Sequence, residues 1–436
     1  MRVGQIAIDV GPLRENRDFR LLFTGRFLSF AGNTMALAAA NWQVYDLTRS
    51  SLAVGLLTLT SSAGMLAGLL LGGMLADRHD RRKLLLASRL PLAGFAGLLA
   101  ANSLLGRPHL WAVYALLLGM GAFSGLGSPS SSAAVPALVG TDRLAAAAAL
   151  NSLGSQLGVL GGPALAGVLI ARSGLPACYA IDAACFAMFG LTLSFIRPLP
   201  PSVRADRPGL RSMAAGLAHV RRNRVVGGML AVDASAMIFG MPTALFPAIA
   251  REHFGGGAAT FGLLAAAPGL GALLGAATSG WTSRLARPGR VVIGAGLLWG
   301  AAITGFGLSG SLGLALAFLA LAGMADLVSE VLRNALLQRY TPDAVRGRVS
   351  SIYLAQVTTA PSLGNAEAGL VAQLVSVTFS VVSGGLACVA GALLLGAINP
   401  ALRRASLLDD TAGEPSEPPR EERTPVPRDP RPATAE

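Results

Sequence analysis

The sequence predicts an all-α integral membrane protein: twelve transmembrane helices in two pseudo-symmetric bundles of six. Three observations carry this prediction. The 436-residue chain is 53% hydrophobic and only 13% charged, against about 25% charged in soluble proteins, and its mean hydropathy is +0.57. Apolar stretches long enough to cross a hydrocarbon core of roughly 30 Å recur along nearly the whole chain. The second half then repeats the pattern of the first.

In chain order the expected spans are 19–45, 51–76, 84–106, 110–138, 142–171, 175–196, 224–250, 258–283, 290–309, 312–338, 344–375 and 377–399. Strand-like alternation is absent and Ala, Leu and Gly dominate, which argues against a β-barrel. Helices satisfy their own backbone in lipid. Residues 1–18 hold no apolar core followed by a small-residue cleavage site, so the first span is expected to be retained. The Pro- and Arg-rich segment 197–223 separates the bundles 19–196 and 224–400. Residues 401–436, rich in proline and charge, cannot bury enough apolar surface to offset their ordering entropy and are expected to be a disordered cytoplasmic tail.

A net charge of +12 would point to nucleic acid in a soluble protein, but here its placement matters more than its sum. Of the 35 Lys and Arg, 28 fall in the N-terminus, the even-numbered connections, the span ends that adjoin these, and the C-terminal segment, four in the odd-numbered connections and three deeper within spans. By the positive-inside rule both termini are expected in the cytoplasm. The expected partners are the bilayer, a small-molecule substrate and protons. No nucleic acid is implied, and the chain is expected to act as a monomer.

The two halves share more than hydropathy. "VPALVGTDRLAAAAALNSLGSQLG" around the fifth span has a counterpart in "LLQRYTPDAVRGRVSSIYLAQVTTAPSLG" around the eleventh, with Asp142 and Asp343 about 200 positions apart. Parallel repeats of this kind typify transporters whose halves are related by an axis along the membrane normal and bind substrate between them.

After the second span, "GGMLADRHDRRK" packs six charges into seven residues. A small Gly73 permits close helix approach, the Asp77 carboxylate can face a helix N-terminus, and Arg81 can pair with a nearby acid. Arg78 and Arg82 complete a latch; the alternative is that the arginines anchor topology at the headgroups. Gly73, Leu75, Ala76, Asp77, Arg78, Arg81, Arg82 and Leu85 resemble the signature between the second and third helices of the major facilitator superfamily. The resemblance covers most of residues 15–400. It departs at Asp80, where the family pattern has Gly; Asp enters a left-handed turn at modest cost.

"GVLGGPALAG" in the fifth span resembles the superfamily's exporter motif and favours export over import. Gly158, Gly161, Gly162 and Gly167 would flatten a face for close contact with the eighth helix or a neighbour, while Pro163 would bend the helix. "FRLLFTGRFLSF", "PALVG", "GLLAAAPGLGALLGAATSG" and "GRVSSIYLAQ" are similar to the bacterial enterobactin (siderophore) exporter subfamily, which also holds macrolide and general drug efflux proteins. The resemblance implies that helices 1, 4, 7 and 10 line a cavity and that 2, 5, 8 and 11 form the moving interface. It makes Asn33 and Asn41 substrate contacts, and Gln43, Asn151, Gln156, Gln356 and Asn365 candidates for joining the halves.

Ionisable residues within spans are costly and mark candidate sites. In "ADLVSEVLRNALLQ", Asp326, Glu330, Arg333 and Asn334 share a helical face. Glu330 would exchange a proton while Arg333 sets its affinity, or the group is a structural triad. Arg26 in the first span would bind an anionic substrate, pair with an acid or snorkel to headgroups. Asp233 and Glu367 are further candidates, whereas Asp182 and Asp46 lie near outer span ends and read as interfacial.

Other chemistry finds no support. The four histidines have no metal-ligand spacing, the three cysteines suit neither a disulfide framework nor zinc, and the sole lysine, Lys83, belongs to no phosphate-binding loop. No cofactor, metal site or enzymatic activity is implied. The expected function is secondary active export, a proton-coupled antiport of a siderophore or similar amphipathic molecule by alternating access. The alternatives are a broad multidrug or macrolide pump and a non-transporting membrane scaffold or sensor.

Overall fold

Asn16 ends a short helix, Gly11–Glu15, and opens the first long one: its side-chain oxygen accepts from the Phe19 N–H at 2.9 Å. This N-cap satisfies a donor that the helix start would otherwise leave unpaired. The computed structural model describes residues 9–76, 79–140, 142–199, 210–278, 280 and 285–407. Twelve long helices follow: α1 (Arg17–Thr48), α2 (Ser51–Ala76), α3 (Arg81–Leu104), α4 (Leu110–Val139), α5 (Leu144–Ser173), α6 (Leu175–Ser194), α7 (Arg224–Phe239), α8 (Ala258–Thr278), α9 (Pro288–Leu308), α10 (Leu312–Arg339), α11 (Asp343–Leu374) and α12 (Val377–Ile398). No strand occurs among the described residues.

Ten of these helices, α7 with its continuation to His253 included, are long and apolar enough to cross a membrane by composition alone. The other two, α1 and α11, are each 32 residues long and direct polar side chains at other helices. Thr34 of α1 donates to the Gly158 carbonyl of α5 at 2.9 Å, and Gln356 of α11 donates to the Leu230 carbonyl of α7 at 2.9 Å. Helix-to-helix hydrogen bonds of this kind are tolerated where the alternative partner is lipid.

The seventh span is broken. After Phe239 the chain passes Gly240 and Pro242, makes one 3₁₀ turn over Thr243–Leu245, a helical turn over Phe246–Ala248 and a π-turn over Ile249–His253. Pro242 and Pro247 lack the N–H that a continuous helix needs. Other helices satisfy the freed groups: Trp299 Nε1 donates to the Gly240 carbonyl at 3.2 Å, and Asn365 Oδ1 accepts from the Ala244 N–H at 2.8 Å and from the Thr243 hydroxyl at 2.7 Å.

The packing repeats between halves. In the first, α2 packs on α4, α3 on α6, and α1 on α5 and α6; in the second, α8 packs on α10, α9 on α12, and α7 on α11 and α12. Two seams join the halves, α2 with α11 and α5 with α8.

The connection expected over 197–223 holds a helix, Leu210–Arg222, lying on α11. Asn223 Nδ2 donates to the Tyr340 carbonyl at 2.9 Å, tying this segment to the end of α10. The segment expected to be disordered from residue 401 begins too early. Pro400–Arg404 is helical and Leu402 is fully buried against α7 and α9, so its apolar side chain offsets the ordering of that turn. Residues 408–436 lie outside the described residues.

Candidate functional site

Both seams close on the side of the protein away from the 210–222 helix, hereafter the far side. Asn365 and Gly369 of α11 meet Gly55 and Ser51 at the start of α2, while Gly167 near the end of α5 meets Gly262 at the start of α8. At mid-depth, the Ser62 and Ser362 hydroxyls are 2.5 Å apart. Above them, side chains join the halves. Asp46 of α1 pairs with Arg251 and Tyr45 donates to Glu252, both partners lying on the π-turn. Arg49 lies 3.3 Å from Asp46, and the Arg251 guanidinium sits 5.6 Å over the Trp42 ring. Asp46, read from the sequence as interfacial, is exposed here and makes a cross-half contact that the sequence did not reveal.

Beneath this closure lies a cavity of about 300 Å³ bounded by both halves. Thr34, Leu37 and Asn41 come from α1, Pro163 from α5, Phe246 from the broken span, Phe261 from α8 and Asn365 from α11. Trp42 and Phe261, with ring centroids 5.6 Å apart, pack across the halves. Asn41 thus lines the cavity, its Oδ1 buried without a hydrogen-bond partner. Asn33 is half-buried and does not line it.

The α10 residues are arranged differently from the expected triad. Arg333 is buried and pairs with Asp233 of α7; its Nη2 lies 3.5 Å from Asp326, and its Nη1 lies 3.2 Å from the Ser329 hydroxyl. Asp233, 1% exposed, also accepts from Gln356 of α11 at 2.9 Å. Glu330 is exposed and forms no ion pair with Arg333. Residues at i and i+3 can meet on a helix, but a buried arginine is stabilised by the acid buried with it, and that acid is Asp233. Gln356 joins α11 to α7 within one half instead of bridging the halves. Glu367 is half-buried and makes no ion pair among the described residues.

In the first half, Arg26 of α1 is half-buried, and Arg89 of α3, which sequence reasoning missed, is 8% exposed. Neither forms an ion pair among the described residues. Asp182 of α6 is not interfacial: it is 0% exposed, packs against Gly32 of α1, and neither carboxyl oxygen has a hydrogen-bond partner. Its nearness to a helix end suggested the headgroup region, but the glycine opposite it creates the buried space.

The cluster after α2 is described in part; Asp77 and Arg78 lie outside the described residues. Gly73 is not a close-approach site, since a Cβ there would meet nothing within 4 Å; on α2 that role falls to Gly68, whose Cβ would lie 1.8 Å from the Ala122 carbonyl oxygen of α4. Asp80 does not enter the left-handed region. With φ −56° it N-caps α3, Oδ1 accepting from Lys83 N–H at 3.1 Å and Oδ2 from Leu199 N–H at 3.0 Å. Arg81 Nη1 donates to the Ala133 carbonyl of α4 at 3.3 Å. Arg82 donates to the Leu193 and Ser194 carbonyls at 2.9 and 2.6 Å, its charge on the negative end of α6.

The glycines of the α5 motif face different partners. Gly158 and Gly162 face Phe30 and Thr34 of α1, Gly167 faces α8, and Gly161 faces open space.

A family model described as transmembrane secretion effector matches residues 8–424. The enterobactin exporter EntS of Shigella boydii serotype 18 is 35% identical over 390 residues, covering 89% of this chain and 93% of that protein. EntS of Escherichia coli O139:H28 matches with the same identity and coverage. Among solved structures, a bacterial homologue of the iron transporter ferroportin in an inward-facing state superposes with TM-score 0.68 at 18% identity, covering 89% of this chain and 99% of that one. A D-xylose–proton symporter gives 0.64 at 18% identity, with 89% and 98% covered. These structures share the fold.

Proposed function

This chain belongs to the transmembrane secretion effector family of the major facilitator superfamily, and from that premise we propose that it exports a siderophore, or a similarly amphipathic small molecule, in exchange for protons by alternating access. Family and relatives make it a membrane exporter, not an enzyme. The observation that carries the substrate reading is the 35% identity to enterobactin exporters along 89% of the chain.

The cavity supports alternating access because both halves bound it, so a rigid rocking of one against the other opens it on one side as it closes on the other. The lysine and arginine asymmetry supports a cytoplasmic linker side, which makes this conformer, closed on the far side, an inward-facing one. The bilayer in question is the bacterial inner membrane, and each monomer carries a complete cavity.

Proton coupling centres on α10. Asp326 has 36% of its side chain exposed and shares Arg333 with the buried Asp233. A proton on Asp326 leaves Arg333 to Asp233 alone, and its departure draws Arg333 back, so the α7–α10 contact changes with protonation. Substrate exit and proton entry are then coupled through the same two helices. Asp77 and Arg78, with Arg81 and Arg82, complete the reading as the linker-side latch.

A second reading, efflux of cationic drugs, draws on two acids one turn apart on α10, the half-buried Asp326 and the exposed Glu330. Flux into proteoliposomes driven by a pH gradient tests both, with a catecholate and a hydroxamate siderophore competing against a cationic dye. Siderophore movement that collapses with the gradient supports the proposal. Movement of the dye alone favours the drug pump, and movement of nothing overturns transport.

A further inference from the structure

Phe189 of α6 connects Arg26 of α1 with Arg89 of α3: a Cβ on Gly25, the residue before Arg26, would strike its ring, Arg89 stands over it, and neither arginine forms an ion pair among the described residues. Arg89 reaches from α3 past Gly127 of α4, where a Cβ would lie 3.3 Å from its Nη2, and its guanidinium stands 5.1 Å from the Phe189 ring centre of α6. Its Nε is buried without a hydrogen-bond partner. Asp182, the only buried acid of this half among the described residues, faces Gly32 and Cys185 and pairs with neither arginine. The second half is built the opposite way: its buried Arg333 is neutralised by Asp233 and Asp326.

Two guanidiniums at low dielectric repel each other and leave donors unmade, which an oxyanion between them would correct on both counts. A route exists. Arg26, Asn33, Leu37 and Asn41 recur at i, i+7, i+11 and i+15 and so share one face of α1, and Leu37 and Asn41 line the cavity.

We propose that Arg26 and Arg89 form an anion subsite at the linker-side end of the transport cavity, taking the carboxylate or phenolate oxygens of an anionic small-molecule substrate. This deepens, and rests on, the exporter reading. The aromatic Phe189 beneath Arg89 orients the guanidinium by cation–π contact, Gly127 leaves the space it occupies, and Arg26, on the cavity-lining helix, meets the ligand first. Selection for negative charge then resides in the first half.

The test is equilibrium binding of 2,3-dihydroxybenzoate, with uncharged catechol as control, by calorimetry on the full chain in phosphatidylcholine nanodiscs. The wild type is expected to bind the anion at least tenfold more tightly than catechol, with Arg26→Gln and Arg89→Gln each weakening the anion at least tenfold and leaving catechol unchanged. In the unaltered protein, phenylglyoxal modification of both arginines, mapped by mass spectrometry, should be slowed by the anion and not by catechol; this arm stands even if the variants misfold. Equal anion affinity in wild type and folded variants, or absence of protection, overturns the subsite. Displacement by phosphatidylglycerol at membrane levels assigns the arginines to lipid phosphate and overturns the substrate role. Binding needs no gradient, so loss of proton-driven flux with anion binding intact counts against the exporter reading and not against the subsite.

Discussion

Gly167 of α5 and Gly262 of α8 meet backbone to backbone: a methyl built on Gly262 would lie 2.7 Å from the Gly167 Cα. No real side chain fits there without moving a helix. Gly262→Val is therefore expected to part the far-side seam and lower flux at least tenfold. Thiol labelling of an Asn41→Cys reporter from the far side should rise in the same variant. Gly161→Ala, on the same motif but facing open space, is expected to behave as wild type in both measurements.

Arg333 lies buried between two acids of different helices. Arg333→Met leaves Asp233 in an apolar site with only Gln356 as a partner and is expected to destabilise the second half by roughly 3–5 kcal/mol. Asp233→Asn combined with Arg333→Met removes the uncompensated charge and should recover most of that loss. Thermal unfolding in detergent, read as a double-mutant cycle, checks the sign of the coupling.

Asp326 and Glu330 separate coupling from folding. Asp326→Asn leaves Arg333 paired with Asp233, so the protein should fold normally, keep gradient-independent counterflow and lose pH-driven flux. Glu330→Gln removes an exposed carboxylate that makes no ion pair among the described residues and should leave the unfolding midpoint unchanged. If pH-driven flux survives in Asp326→Asn and fails in Glu330→Gln, the coupling role moves to Glu330.

The Asp46–Arg251 pair is partly exposed, with 45% and 37% of the side chains accessible. Water screens it, so Arg251→Gln should change stability by less than about 1 kcal/mol. Its effect is expected instead in conformer populations: faster far-side labelling of Asn41→Cys, restored to the slow rate by the swap Asp46→Arg with Arg251→Asp.

Among the described residues Asp182 forms no ion pair and its carboxyl oxygens have no hydrogen-bond partner. Burying a polar group without partners is unfavourable by about 1–3 kcal/mol, so Asp182→Ala should raise the unfolding midpoint. A lowered midpoint would show that the carboxyl holds a partner in the folded protein.

Much of this molecule is local and so could be read residue by residue. A run of apolar residues spans a bilayer whatever surrounds it, and breaks such as that after α6 announce themselves by proline and arginine. The twelve helices and two bundles were legible for that reason, as were Asp233 and Arg333 as ionisable groups within spans; Asn41 came as a cavity residue only through the family resemblance. Other features could not be read this way. Helical periodicity says that Glu330 and Arg333 share a face; it does not say which acid from another helix lies opposite. Arg89 follows a basic cluster by only six positions and gave no signal apart from it, because its burial comes from Phe189 and Gly127 on α6 and α4. Asp80 reads as a turn residue until the cap geometry is known.

The sequence by itself determined that this chain lives in a membrane, how many times it crosses and where its halves divide, because hydrophobic length and charge asymmetry act through solvent and need no tertiary partner. Only the tertiary structure decided that Arg333 belongs to Asp233, that Arg26 and Arg89 pair with no acid among the described residues, and that Gly167 and Gly262 form the seam. Those are matters of distance between helices far apart in the chain, and a buried charge takes its meaning from whatever the fold brings within reach.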